Sequence, residues 1–245
     1  MGSTILLVLA TAGPAPKLDT GLTEAFRAVK AGRYEEARRA ANAYLAAGHA
    51  AHPGQAEFIA GLSYHRQHLY EPARAHFVRA AELEPDYVTT YFFYGFALFN
   101  LGRLEEARQA LERFLAFSPG DAETVFGLGL VALEQDRTEE AEARFLRAIA
   151  LVEEKSKGSP MPTELREDLA RYQARLADVY LRRDDLPRAR AALERSVELW
   201  PDHYEPWHKL ARVLERLGDP AGAEHAQAKS DAAFQRRGTR GREGP

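Results

Sequence analysis

Cysteine is absent from the 245 residues, which removes disulfides, thiolate nucleophiles and zinc–cysteine sites together. No apolar run approaches the roughly 20 residues that cross a bilayer as a helix, so integral membrane insertion is not expected. A dominant charge is missing too. The 33 basic and 36 acidic residues leave a formal net charge of -3, which gives no general attraction to nucleic acid or to an acidic membrane. Phosphate-cradling, zincin and nucleophile-elbow patterns do not occur, and GLGLV at Gly127 to Val131 lacks the third glycine of a dinucleotide loop. The chain offers no visible seat for catalysis and implies no cofactor or metal, so it is expected not to be an enzyme.

What the chain does have is a period. Aligning EPARAHFVRAAELEP, EEARQALERFLAFSP, EEAEARFLRAIALVE, LPRARAALERSVELWP and PAGAEHAQAKSDAAF puts Ala73, Ala107, Ala141, Ala189 and Ala223 in one column. Three of the four gaps are 34 residues, and a fixed period of this size signals a repeat architecture. Four residues on stand Phe77, Leu111, Phe145, Leu193 and Gln227, and prolines close three units at Pro85, Pro119 and Pro201. Upstream, a small residue recurs at Gly61, Gly95, Gly129, Ala177 and Ala211. Turns fall at Gly32, Gly102 and Gly218, where glycine enters the left-handed conformation without a side-chain penalty. Each unit therefore reads as helix, tight turn, helix.

These residues resemble the tetratricopeptide repeat family, whose pattern runs W-x2-L-G-x2-Y, A-x3-F and P over 34 residues. The third unit matches as Tyr91-x2-Tyr94-Gly95-x2-Leu98, Ala107-x3-Leu111 and Pro119; the sixth carries Trp207-x2-Leu210-Ala211. The resemblance implies an all-α, right-handed superhelical solenoid of about six helix-turn-helix repeats. The repeats fall at about 19–53, 54–87, 88–121, 122–155, 170–203 and 204–235. An insertion at about 153–168 is expected to lengthen one helix, form a Gly/Pro loop at Gly158 to Pro162 and start the next helix early.

The ends differ in kind. Residues 1–18 contain an apolar core, Ile5 to Ala10, followed by Ala10-Thr11-Ala12 and a Gly/Pro breaker, like the end of a secretory signal but without a basic start. Export if this segment is a cleaved signal, a disordered start on a cytoplasmic protein otherwise, and docking of the segment in a groove all stay open. Residues 236–245 are rich in glycine and arginine and are expected to be a disordered basic tail.

The stretch YVTTYFFYGFALFN, Tyr87 to Asn100, concentrates aromatic residues. On a helical wheel Tyr91, Tyr94, Gly95 and Leu98 share the framework arc, while Phe92, Phe93, Phe96 and Phe99 share a second one. In the family the second arc resembles the lining of a concave groove that holds peptides. The same slots contain Leu22 and Phe26 in the first unit, Phe58, Ile59 and Leu62 in the second, and Phe126, Leu130 and Leu133 in the fourth. In the fifth and sixth they contain Arg171, Arg175, Asp178 and Arg182, then His208, Lys209, Arg212 and Arg216. An apolar N-terminal half and a mainly basic C-terminal half are expected. Four exposed groove rings would forgo roughly 6 to 12 kcal/mol of burial, so a cover is expected.

The groove residues thus predict a non-catalytic scaffold for a protein or peptide partner with an apolar or aromatic segment and acidic residues, with no nucleic acid expected. The alternative is a structural subunit that buries the aromatic face in an oligomer, a homo-oligomer included. Leu22, Phe26 and Ile59 stand where the carboxylate-clamp members of the family carry Lys and Asn, which argues against that subfamily. His65, His68 and His76 are spaced closely enough to suggest a metal, but the first is expected at the groove edge and the second in a turn.

Overall fold

A computed structural model describes residues 19–47, 51–158 and 160–240, and everything below concerns these residues. The proposed signal or docking segment, residues 1–18, lies outside them, as do Ser159 and residues 241–245. The described residues form twelve α-helices, one short 3-10 turn at Thr20–Leu22, and no strand. They divide into an N-terminal unit ending at Val131 and a C-terminal unit beginning at Ala132.

The N-terminal unit contains α1 (Thr23–Lys30), α2 (Tyr34–Ala46), α3 (Pro53–Arg66), α4 (Tyr70–Leu83), α5 (Thr89–Asn100), α6 (Leu104–Phe117) and most of α7 (Ala122–Glu134). The C-terminal unit continues with α8 (Thr138–Lys155), α9 (Thr163–Arg182), α10 (Leu186–Leu199), α11 (Tyr204–Arg216) and α12 (Pro220–Arg240). Within the units α1 pairs with α2, α3 with α4, α5 with α6, α9 with α10 and α11 with α12. Each first helix also meets the second helix of the preceding repeat, as α3 meets α2, α5 meets α4 and α11 meets α10.

One device closes the turn inside each repeat. The N–H groups of Arg33, Leu69, Arg103, Arg137, Asp185 and Asp219 donate to the carbonyls of Ala28, Tyr64, Leu98, Ala132, Tyr180 and Leu214, five residues back, at 2.8 to 3.0 Å. This is the six-to-one bond that satisfies a helix end when the intervening residue is left-handed. Gly32, Gly102 and Gly218 supply positive φ in three turns; His68, Asp136 and Asp184 do so at φ near 60° in the others. Aspartate and histidine tolerate that region better than most residues.

The repeat columns form the core. Ala37, Ala73, Ala107, Ala141 and Ala189 are fully buried, and so are Phe77, Leu111, Phe145 and Leu193. Full burial of the phenylalanine and leucine side chains stabilises by about 1.5 to 3 kcal/mol each. Gly95 is small because a Cβ there would stand 2.6 Å from Leu111 Cγ, and a Cβ on Gly61 would stand 2.8 Å from the Phe77 ring.

At the insertion α8 runs to Lys155, Gly158 turns with φ of 80°, and α9 begins at Thr163. The last helix runs to Arg240, past the 236 at which the sequence places the tail. Gln235, Arg236 and Arg237 are good helix formers and let α12 continue.

Candidate functional site

In the N-terminal unit the second aromatic arc is mostly interior. Phe58, Ile59, Leu62, Phe92, Phe93 and Phe126, expected to line an open groove, are at most 2% exposed. The Phe58 ring lies 5.2 Å from Tyr87, 6.0 Å from Phe77 and 5.5 Å from Phe93. Phe92 meets Phe93 at 5.0 Å, Phe96 at 4.9 Å and Phe114 at 5.4 Å. The physical reason is the number of neighbours. A wheel allots a helix one partner, whereas α3 touches α1, α2, α4 and α5, which closes nearly its whole circumference.

Three members of the arc remain partly open: Phe96, Phe99 and Leu130. Phe96 and Phe99 pack at the margin of a cluster of Leu98, Leu111, Leu128 and Val131. Phe96 also lies over the backbone of α7, where a Cβ on Gly127 would come within 2.8 Å of the ring tip. Phe26, on α1, is a third half-buried phenylalanine.

His65 is the odd member of this face. Its imidazole is buried between Tyr70, Phe77 and Phe93, with centroids 5.5, 6.4 and 5.9 Å away, and neither ring nitrogen has a hydrogen-bond partner. Burial, with the nearby charges of Arg66 and His68, pushes its pKa down to about 4. His68 instead sits 2.9 Å from the Tyr70 hydroxyl, and His76 Nδ1 sits 2.6 Å from Glu57 Oε2. The three histidines do not converge, and among the described residues no three metal-type side chains cluster.

The sequence reading missed a polar stack beside these rings. Arg38 lies over the Tyr64 ring at 4.4 Å, and His76 stacks against Tyr64 at 5.4 Å. Arg38 also donates to Ser63 Oγ and to Gln67 Oε1, at 3.2 and 2.7 Å. Burial pulls the Glu57 carboxyl upward, but the contacts with His76 and Arg79 outweigh it and hold the pKa below the usual value. A cleft of about 290 Å³ opens here, lined by Glu35, Arg38, Arg39, Asn42, Tyr64 and His76. Glutamate in the tryptophan column at Glu57 was the available signal.

In the C-terminal unit the expected basic face is a lattice of ion pairs. Asp178 takes Arg175 at 3.0 Å and Lys209 at 2.7 Å, and Lys209 also reaches Glu205 at 3.1 Å. Arg171 pairs with Asp168 at 3.0 Å. Arg182 donates to the Leu133 carbonyl at 2.6 Å and lies 3.5 Å from Asp136, while Arg216 meets Asp184. Among the described residues Arg212 alone of these six cations has no ion pair, and it is exposed. Asp168, Glu205, Asp184 and Asp136 come from adjacent turns and neighbouring repeats, and they cancel what a list of arginines suggests.

Two family models, each described as tetratricopeptide repeat, match residues 60–122 and 95–160, and residues 170–213, together more than half of the chain. Cellulose synthase operon protein C of Xanthomonas axonopodis pv. citri (strain 306) is 32% identical over 139 residues, 56% of this chain and 9% of that protein. The crystal structure of the hetero-tetramer Cut9–Hcn1 of the APC/C superposes with a TM-score of 0.69 at 22% identity, covering 95% of this chain and 44% of that one. YrrB, described as a TPR protein with an unusual peptide-binding site, gives a TM-score of 0.52 at 16% identity over 73% of this chain and 84% of its own. At such identities the solved structures speak for the fold alone, a helical-repeat solenoid.

Proposed function

The chain belongs to the tetratricopeptide repeat family, and on that premise we propose that it is a non-catalytic scaffold whose first-helix faces hold an extended or helical segment of a partner protein. The observation that carries this is the set of half-open apolar side chains, Phe96, Phe99 and Leu130, on a face otherwise closed. They supply apolar anchors for a partner's aromatic or aliphatic side chains. In the C-terminal unit the exposed Arg212 is a bidentate donor for a carboxylate. The peptide-binding site of YrrB and the assembly of Cut9 with Hcn1 support a protein partner.

The test is affinity capture with mass spectrometry, wild type beside a Phe99→Ser/Leu130→Ser variant. Phe96 is left alone because it braces Gly127. Loss of one or a few partners with unchanged melting is expected. The same partner set in both captures would overturn the reading.

A specific observation favours a second reading, a subunit of a larger assembly. Leu83 and Phe117, one 34-residue period apart at the ends of α4 and α6, are 50% and 63% exposed. Apolar side chains exposed at a fixed repeat suit a permanent interface. A mass in analytical ultracentrifugation that stays monomeric at every concentration would eliminate the homo-oligomeric form.

A further inference from the structure

We propose that the cleft between α2, α3 and α4 holds one carboxylate, the acidic side chain or the chain end of a peptide, on the free edge of Arg38. The site lies away from the first-helix faces of the scaffold reading. At about 100° per residue, Ala60 and Tyr64 fall on the opposite side of α3 from Phe58 and Leu62. It stands or falls without that reading.

A comparison along one column is the first ground. The residue after the core alanine of the second helix is Arg38, Arg74, Arg108 or Arg190 in four of the repeats. Three of these guanidiniums meet a carboxylate on their own helix: Arg74 lies 2.8 Å from Glu71, Arg108 2.7 Å from Glu112 and Arg190 2.8 Å from Glu194. Four residues after Arg38 stands Asn42, where Arg108 and Arg190 have their glutamates. Arg38 has no carboxylate partner among the described residues, and neither has Arg39 beside it.

The second ground is how Arg38 is held. Its Nη1 donates to Ser63 Oγ at 3.2 Å and to Gln67 Oε1 at 2.7 Å, and the guanidinium lies 4.4 Å over the Tyr64 ring. Among the described residues Nε and Nη2 have no partner, and neither atom is enclosed. Their N–H groups share one edge, the fork that meets a planar carboxylate with two parallel bonds. Two neutral acceptors and a ring fix that plane beforehand, so little side-chain freedom is left to lose on binding.

Charge selects the class of ligand. Arg38 and Arg39 against Glu35 leave one positive charge on the cleft wall, because Glu57 behind His76 is already matched by Arg79 at 3.2 Å. One net charge suits a monoanion better than a phosphate near two negative charges. Glu35 is exposed and pairs with neither arginine, so it offers a ligand little competition. The volume of about 290 Å³ lies at the small end for ligand sites, which suits one side chain or chain end.

Heteronuclear NMR of the Arg38 Nε–H in the full chain is the test, the resonance being assigned by its loss in Arg38→Lys. The probes are acetyl-Ala-Glu-Ala-amide, with only a side-chain carboxylate; acetyl-Ala-Ala-Ala with a free chain end; neutral acetyl-Ala-Gln-Ala-amide; and inorganic phosphate. A saturable shift with at least one carboxylate peptide is expected, and the peptide that gives it identifies the source. Asn42→Glu, at an exposed position, restores on α2 the partner that Arg108 and Arg190 have. It should weaken that peptide about tenfold or more, the fold-change for losing a charge-assisted hydrogen bond. Arg39→Gln, a second exposed change, should weaken it as well. An equal shift with the glutamine peptide, tighter binding of phosphate, or an Asn42→Glu titration that matches wild type would each overturn the proposal. So would a lack of saturation with both carboxylate peptides. None of these measurements involves the first-helix faces, so a failure here is distinct from a failure of the scaffold reading.

Discussion

The ring of Phe93 on α5 meets the ring of Phe58 on α3 with centroids 5.5 Å apart and planes tilted by 58°. Both side chains are fully buried, so the contact ties successive repeats together. Phe93→Ser should therefore cost about 3 to 5 kcal/mol or more, because it leaves a cavity and buries a hydroxyl. Urea unfolding measures this. Phe99→Ser, at the half-open margin, should cost much less, and equal midpoints for the two variants would contradict the burial pattern.

Gly95→Ala sets two effects against each other. Alanine gains up to about 1 kcal/mol of helix propensity over glycine. The new Cβ would stand 2.6 Å from Leu111 Cγ and 3.3 Å from the Leu111 backbone nitrogen, and overpacking typically costs about 1 to 3 kcal/mol. Net destabilisation of about 1 to 2 kcal/mol is expected from that balance. A rise in Tm would show that Leu111 moves freely.

The pKa of His65 makes stability depend on acid. Folded, its pKa is about 4 because the ring is buried and Arg66 and His68 lie near; unfolded, it returns to about 6.5. Between these values the unfolded chain binds the extra proton, so stability is complete above pH 6.5 and falls as the pH drops towards 4. The loss reaches about 3 kcal/mol from the size of that shift. Glu57 acts in the same direction, but only as the pH falls below the ordinary carboxylate value of 4.5. Comparing unfolding at pH 5 and pH 7 therefore isolates His65, and His65→Phe should flatten the difference. A wild-type slope retained in His65→Phe would sink the assignment.

Asp178 holds Arg175 and Lys209 together. Asp178→Asn should release Arg175 and leave Lys209 with Glu205 alone, change stability by less than about 1 kcal/mol because the pairs are partly solvated, and raise affinity for an acidic peptide. The gain should fade as salt rises. Arg212→Glu should lower that affinity. Fluorescence anisotropy with a labelled glutamate-rich peptide reads both, and unchanged binding in the two variants would exclude an acidic ligand on this face.

The sequence alone carried the repeats. Its 34-residue period, alanine columns, turn glycines and the small residue opposite Leu111 reflect demands that recur identically in each hairpin, and such demands are legible wherever the chain repeats them. The left-handed turns at His68, Asp136 and Asp184 were less visible, since the same hydrogen bond forms there without glycine. Only the tertiary structure decided which aromatic residues are interior and which cations are free. Burial of Phe58 and Phe93 depends on how many helices surround α3 and α5, and the charge of Arg175 and Lys209 depends on an aspartate that both of them reach. Local periodicity gives the direction of a side chain, but its environment is set by neighbours distant in the chain.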